Sequence, residues 1–463
     1  MGQQKQKKKS EKIHKIGITS DTLSSRGGLS FFSKYLENTQ ILSFLQTLFG
    51  FIRKTKKGQE IDVIFKQLIC YLMDGTSRHL TYFDQLKEDE GYAASLELPK
   101  DEMLSSHSVK RFFKAFSMVR VWGFRCVLRH LFLWRLRLEQ PQVIYLGIDS
   151  MVMDNDEAAK RDGVQPTYKK KKGFHPLQMT WKCFIVDALF RGGKKHCNHG
   201  VAVERMVRKM VQYIRQNYRE DIAIVILLDS GFCDEKLFKV FEALEIGYIC
   251  GGKIYNDLVE FAGMIEDGIW DKYTKDKQEW NYFDFNDKRE SWAKDRRAIL
   301  CRFNPLDPQQ VFDAFRPLTI LYTNIGLGEA IDEQLRACGH GDLLQSEMIL
   351  KTAHGRGKDE LVHRAFKEFA FEELPFQRFA PNAAYYYVLL TAHFLYECFK
   401  EDACEGVVPV VAYANTLRRK LIDLAAKIVR TSGLVWIKFT ETAWTSLNLN
   451  SLWERCQSPP QLC

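Results

Sequence analysis

The sequence has no Cys-x2-Cys pair among its 12 cysteines, no Gly-x-Ser-x-Gly, no internal repeat and no apolar run long enough to cross a bilayer. Each absence closes a class. Thiols scattered singly build neither a finger-type zinc frame nor a disulfide scaffold. No signal-peptide pattern opens the chain, so reduced, mostly buried cysteines in the cytoplasm are expected. His196, Cys197 and His199 stand close together in "KKHCNHG" but lack a second ligand pair at finger spacing, and zinc is not expected there. The longest apolar stretch, "AAYYYVLLTAHFLYECF" at 383–399, is shorter than the roughly 20 residues of a spanning helix and carries His393 and Glu397. No membrane segment is expected. Ser150 and Ser230 each follow an apolar run, yet without the glycines of a nucleophile elbow they do not read as hydrolase nucleophiles.

What is present is a chain of 463 residues, 46% hydrophobic and 27% charged, enough for two or three domains. Its formal charge of +9 is unevenly spread. Lysine concentrates in "KQKKKSEKIHK" near the start and in "TYKKKKGFH" at 167–175. Such runs favour polyanions, nucleic acid above all, with a solvated tail as the plain alternative for the first.

The texture of the sequence changes along its length. Residues 1–25 are polar and lysine-rich, a basic tail expected to be disordered until bound. Residues 26–138 have helical periodicity. Within them "LSSHSVKRFFKAF" opens on serine caps and carries Lys110, Arg111 and Lys114, either a helix docked on DNA phosphates or a structural helix with a basic surface. Residues 139–251 alternate β-branched runs with helices, which predicts a mixed α/β sheet. Residues 252–318, with Trp270, Trp280 and Trp292 and short alternating pieces, read as a mainly-β insertion. The sheet resumes at "LTILYTN", the rest of 319–440 is helical up to a last strand in "LVWIKFTETAW", and 441–463 is a tail.

Two apolar runs end alike: "VIYLGIDS" in Asp149-Ser150 and "IVILLDS" in Asp229-Ser230. If the strands are neighbours, their ends bring two carboxylates together, which repel unless a cation lies between them. Mg²⁺ suits carboxylate oxygens and keeps water positions open for a phosphate. Either Asp could instead cap the following helix. A third acid lies in "AHGRGKDELVHRAFKEFAFEEL" (353–374). At about 100° per residue, Arg356, Glu360, His363, Arg364 and Lys367 share one stripe of a helix, opposite Leu361, Val362, Ala365, Phe366 and Phe369. That stripe is either an ion-pair ladder or a metal ligand among phosphate-gripping cations.

With these motifs the chain resembles the DDE transposases of bacterial insertion sequences. It is similar to the branch with a β insertion before the catalytic Glu and a Tyr-x2-Arg-x3-Glu-x6-Lys signature. Arg356, Glu360 and Lys367 keep that spacing, while Ala353 stands where the family has Tyr. "GIDS", "FHPLQ", "LFRGGKKH", "LLDSGF" and "FAPNAAYYYVLL" resemble the family's blocks in its order, over about residues 100–440. The resemblance implies an α/β fold: an RNase H-like mixed sheet core, an inserted mainly-β subdomain and an N-terminal helical domain that binds the DNA end. It implies Asp149, Asp229 and Glu360 as catalytic ligands of two Mg²⁺ ions, for which Mn²⁺ can substitute. Arg356, Arg364, Lys367, Lys110, Arg111 and Lys169, Lys170, Lys171 and Lys172 would contact DNA. Trp280 or Trp292 would stack on an extruded base, burial being the competing fate of each.

The implied activity is cut-and-paste transposition. The partners are double-stranded DNA, both inverted repeats and target, and a second copy in a homodimer. The setting is the cytoplasm, in association with the nucleoid. A catalytically inactive, transposase-derived DNA-binding protein is the alternative.

Overall fold

Four largely apolar runs assemble around β1 (Val143–Ser150): β2 (Leu177–Trp181), β3 (Phe184–Leu189), β4 (Ala223–Leu228) and β5 (Gly247–Gly251). The structure is a computed structural model describing residues 13, 15–53, 58–195, 200–275, 278–304, 318–355 and 357–462, with the side chains of 357–360 outside the description. The order across this part of the sheet is β3-β2-β1-β4-β5. β1 and β2 pair antiparallel, as do β2 and β3, whereas β4 runs parallel to both β1 and β5. All six residues of β4 are buried, the pattern of a parallel strand covered on both faces.

The segment read as an insertion supplies β6 (Asp271–Lys275), β7 (Gln278–Asp287) and β8 (Arg296–Asn304), and β9 (Leu318–Thr323) follows. These strands do not form a separate sheet. The order β6-β7-β8-β9 continues antiparallel from β5, giving nine strands in one mixed sheet. The strand expected in "LVWIKFTETAW" is Leu434–Lys438, which pairs with Ala426–Thr431, itself paired to Thr22–Ser24, in a small sheet of its own.

Six helices matter for positioning: α1 (Ile61–Asp74), α2 (Ser106–Lys114), α3 (Gly123–Glu139), α4 (Ala202–Asn217), α5 (Gly357–Phe369) and α6 (Phe379–Asp402). α4 buries Val203, Met206, Val207, Met210, Val211 and Ile214, the three-and-four spacing of one apolar stripe. α6 is buried from Pro381 to Lys400, which makes it a core helix. It packs against α1, α2 and α3 on one side and β3 on the other, so the N-terminal helices share one hydrophobic core with the sheet. A second cluster, including Val225, Ile249, Ile299, Ile331 and Leu350, covers the opposite face. Among the described residues no helix is long and apolar enough to cross a membrane.

Arg418 joins the N-terminal helices to α5. Its guanidinium, buried, donates to the carbonyls of Leu72 (2.8 Å) and Met73 (2.9 Å) at the end of α1, and to Phe369 O (2.9 Å) at the end of α5. The C-terminal ends of two helices, each with unmatched carbonyls and a partial negative charge, thus share one cation. Gly75 follows α1 at φ +64°, and a Cβ there would come within 2.2 Å of that guanidinium. Replacing Arg418 with Ala would leave those carbonyls buried and unpaired. Arg418→Ala is expected to destabilise the fold by about 2–4 kcal/mol, read as a lower urea midpoint at unchanged slope, with Arg418→Lys intermediate.

Candidate active site

Register brings the first two acids together. Ile148 and Leu228 are partners in the parallel β1–β4 pair, and Asp149 and Asp229 are the next residue on each strand. Adjacent strands stand about 4.8 Å apart, so the two carboxylates occupy neighbouring places on one lip of the sheet. The strands leave the core here: Asp149 is half-buried and Asp229 exposed. Ser150 N–H donates to Asp149 Oδ1 (2.6 Å), and Gly231 N–H donates to Asp229 (2.9 Å) in the tight turn Ser230–Phe232. The helix that follows, Glu235–Ala243, has its own cap, since Asp234 accepts from Lys236 N–H (2.9 Å). Helix capping is therefore Asp234's role, while Asp229 closes the short turn at the strand end.

The third acid comes from far along the chain. α5 buries Val362, Phe366 and Phe369, with Phe366 edge-on to His393 (5.4 Å) and Phe369 beside Tyr396 (5.2 Å), which seats it on α6. Leu361, placed on the apolar face by the helical-stripe reading, is 49% exposed, because the buried stripe centres on Val362 and Phe366 and is narrower than that reading assumed. His363 meets the sheet lip, its Nε2 3.4 Å from Asp149 Oδ2. Glu360 lies one turn earlier on the same helix face, and its side chain is outside the described residues, as is Arg356 entirely. His196, Cys197 and His199 are outside them too. Among the described residues no group of three or more His, Cys, Asp or Glu is arranged to hold a metal ion.

The chain after α5 is clasped to the chain after β1. Buried Asn155 donates to Glu372 O (3.1 Å) and accepts from Leu374 N–H (2.9 Å), while Glu372 accepts from Asp154 N–H (3.1 Å). This clasp fixes the end of α5 relative to the strand that carries Asp149. No pattern in the sequence marks it.

The family described as Transposase DDE domain group 1 matches residues 6–460. The chain belongs to this family. Solved structures that match include the piggyBac transposase synaptic complex with hairpin DNA, determined by cryo-EM, at 13% identity and TM-score 0.40, covering 85% of this chain and 80% of that one. No curated protein matches.

The basic residues expected on DNA have varied surroundings in this transposase-family chain. Lys367 pairs with Glu372 (2.9 Å) and so joins the clasp. Arg364 is exposed, its guanidinium 5.3 Å from the centre of the Tyr413 ring. Lys169, Lys170 and Lys171 lie in an exposed turn that leads into a short strand beginning at exposed Lys172, with Lys171 bridging Asp154 and Asp156 at 3.3 Å each. Lys110 and Lys114 on α2 line a cleft of about 370 Å³ together with Arg78 and Arg161, which are both paired to Glu373. Arg111 and Lys114 line another, of about 680 Å³, with Arg53. Arg53, Arg78 and Arg161 come from separate segments and carried no signal in the sequence.

The two tryptophans named for base stacking have protein neighbours. Trp292 is 8% exposed, packed edge-on to Tyr322 (4.8 Å) and Phe238 (5.9 Å) with the Arg296 guanidinium over its ring. That is a core ring, and the stacking role does not fit it. Trp280, half-buried, lies 4.4 Å from the His354 ring and 4.9 Å from Phe303. Tyr273, its cross-strand partner, contacts His354 Nδ1 through its hydroxyl. The added strands thereby grip the helix Ser346–Gly355 that leads into α5.

Burial, with Lys275 nearby, pushes His354 down to about 4 from an ordinary 6.5. Between these values the unfolded chain binds a proton that the folded chain refuses, so stability falls as pH drops through that window. Thermal or urea unfolding at pH 7 and pH 4.5 is expected to show a loss of which on the order of 2 kcal/mol disappears in His354→Gln. An unchanged pH slope in that variant would place the buried proton elsewhere.

Proposed function

We propose that this protein is a cut-and-paste DNA transposase of a bacterial insertion sequence, cleaving at the inverted-repeat ends of its element and joining them to target DNA. The observation that carries the reading is the in-register adjacency of Asp149 and Asp229 at the ends of two parallel strands, with the Glu360 helix docked against Asp149 through His363. The order β3-β2-β1-β4-β5, antiparallel on one side of β1 and parallel on the other, supports an RNase H-like core.

The donor set fits a divalent cation. Asp149 and Asp229 offer hard carboxylate oxygens, the donors Mg²⁺ prefers, side by side where the strands emerge from the core. On this reading Asp149, Asp229 and Glu360 hold two Mg²⁺ ions, for which Mn²⁺ can substitute. When bound, such ions supply a nucleophilic oxygen at neutral pH and neutralise charge at the scissile phosphate. The chain's own part is positional. Register and the Asn155 clasp hold the acids in place. Lys110, Arg111, Arg364 and the Lys169–Lys172 segment bind the DNA backbone outside the reacting centre. The reaction joins two ends, so the working form is a homodimer that synapses them, acting on nucleoid DNA in the cytoplasm.

Asp149→Asn, Asp229→Asn and Glu360→Gln are each expected to lower metal-dependent cleavage of end DNA by about a thousandfold, the loss of several kcal/mol of charge stabilisation, while end binding stays intact. Cleavage within tenfold of the parent in any one would remove that residue from the site. Neutralising Lys169 and Lys170 together is expected to weaken end binding for all sequences alike and to flatten the log K against log salt slope by about 1–2, measured by fluorescence anisotropy.

A further inference from the structure

The ring nitrogens of His363 are buried beside an acid without the hydrogen bonds such atoms normally have. Its side chain is 12% exposed, and neither ring nitrogen makes a hydrogen bond with any described residue. Buried polar atoms are almost always paired, and leaving one unpaired is destabilising. The nearest charged oxygen, Asp149 Oδ2, is 3.4 Å from Nε2, close enough for a hydrogen bond but not aligned for one. Asp149's other oxygen, Oδ1, accepts from Ser150 N–H, so Oδ2 is the one turned to the imidazole.

That separation has another meaning. Two donors on one ion at about 2.0–2.2 Å, roughly 90–110° apart, stand about 2.9–3.5 Å from each other, each aiming a lone pair at the ion. The 3.4 Å between His363 Nε2 and Asp149 Oδ2 falls within that range. Glu360 is one turn away on the same face of α5, so the helix that carries the third acid also carries the nitrogen.

We propose that His363 is a direct ligand of the divalent cation at Asp149, making the site a mixed nitrogen and oxygen one. This rests on the cation-site reading of Asp149 given above. Imidazole suits transition metals, whereas Mg²⁺ prefers oxygen, so His363 biases the site towards Mn²⁺ over Mg²⁺.

The test uses the full chain with Mn²⁺ as probe, read by pulsed electron paramagnetic resonance and by direct titration. The parent protein is expected to show ¹⁴N coupling from a directly bound imidazole. His363→Ala should lose that coupling and bind Mn²⁺ about ten- to a hundredfold more weakly, with a smaller change for Mg²⁺. His363→Gln, which fills similar space with an oxygen donor, should keep Mg²⁺ binding and also lack the coupling. Mn²⁺ bound to the parent without ¹⁴N coupling, or coupling that persists in His363→Ala, would overturn the proposal. Asp149→Asn separates this from the broader reading: if it abolishes Mn²⁺ binding while the parent shows no ¹⁴N coupling, only the role of His363 falls. If Asp149→Asn binds Mn²⁺ like the parent, or the parent binds none, the cation site itself is wrong and the His363 assignment falls with it.

Discussion

The parallel pairing of β1 with β4 is the constraint on which the candidate site depends. Both strands are sandwiched between helices, so nearly every residue from Val143 to Ile148 and from Ala223 to Leu228 must be apolar and buried. A slip of one residue would drag a carboxylate into the core or push an aliphatic side chain out to water, and the cost of either holds the register. Because Ile148 and Leu228 are partners, the first residues that can bear charge, Asp149 and Asp229, are neighbours. The acidic pair thus arises from the packing of the sheet.

The helix with the third acid is held by contacts that no single segment contains. Val362, Phe366 and Phe369 seat α5 on the buried α6, Arg418 ties its last turn to α1, and Asn155 fastens the chain beyond it to the exit of β1. The added strands contribute from the other side, where Tyr273 and Trp280 pack on His354 just before α5 begins. A large share of the molecule therefore serves to place one helix against one strand end. This explains why the helices from Leu29 to Glu139 share a core with the sheet instead of standing apart as a lobe.

Much of the candidate site was legible because its acids lie at element boundaries. An apolar run that stops at an acid is readable without coordinates, and so is the helical spacing of Glu360, His363, Arg364 and Lys367. The roles of the stripe's members were not. Lys367 pairs with Glu372 and Arg364 lies over Tyr413, although the sequence treats them as equivalent cations on one edge. Trp292 and Trp280 look alike as residues with a stacking face, and only their neighbours reveal that Phe238, Tyr322, Phe303 and His354 already pack against them. The extension of one sheet to nine strands was also hidden, because alternation in 271–304 is the same whether the strands pair among themselves or continue from β5.

By itself the sequence determined the mixed α/β class, the order of the elements and which acids end which strands, because these follow from periodicity within a few residues of each position. Tertiary structure alone decided that Asp149 and Asp229 are adjacent, that His363 meets Asp149, and that Arg418, Asn155 and Tyr273 hold the surrounding elements. Those outcomes depend on which distant surfaces exclude water from one another, a property of the packed chain that no local window contains.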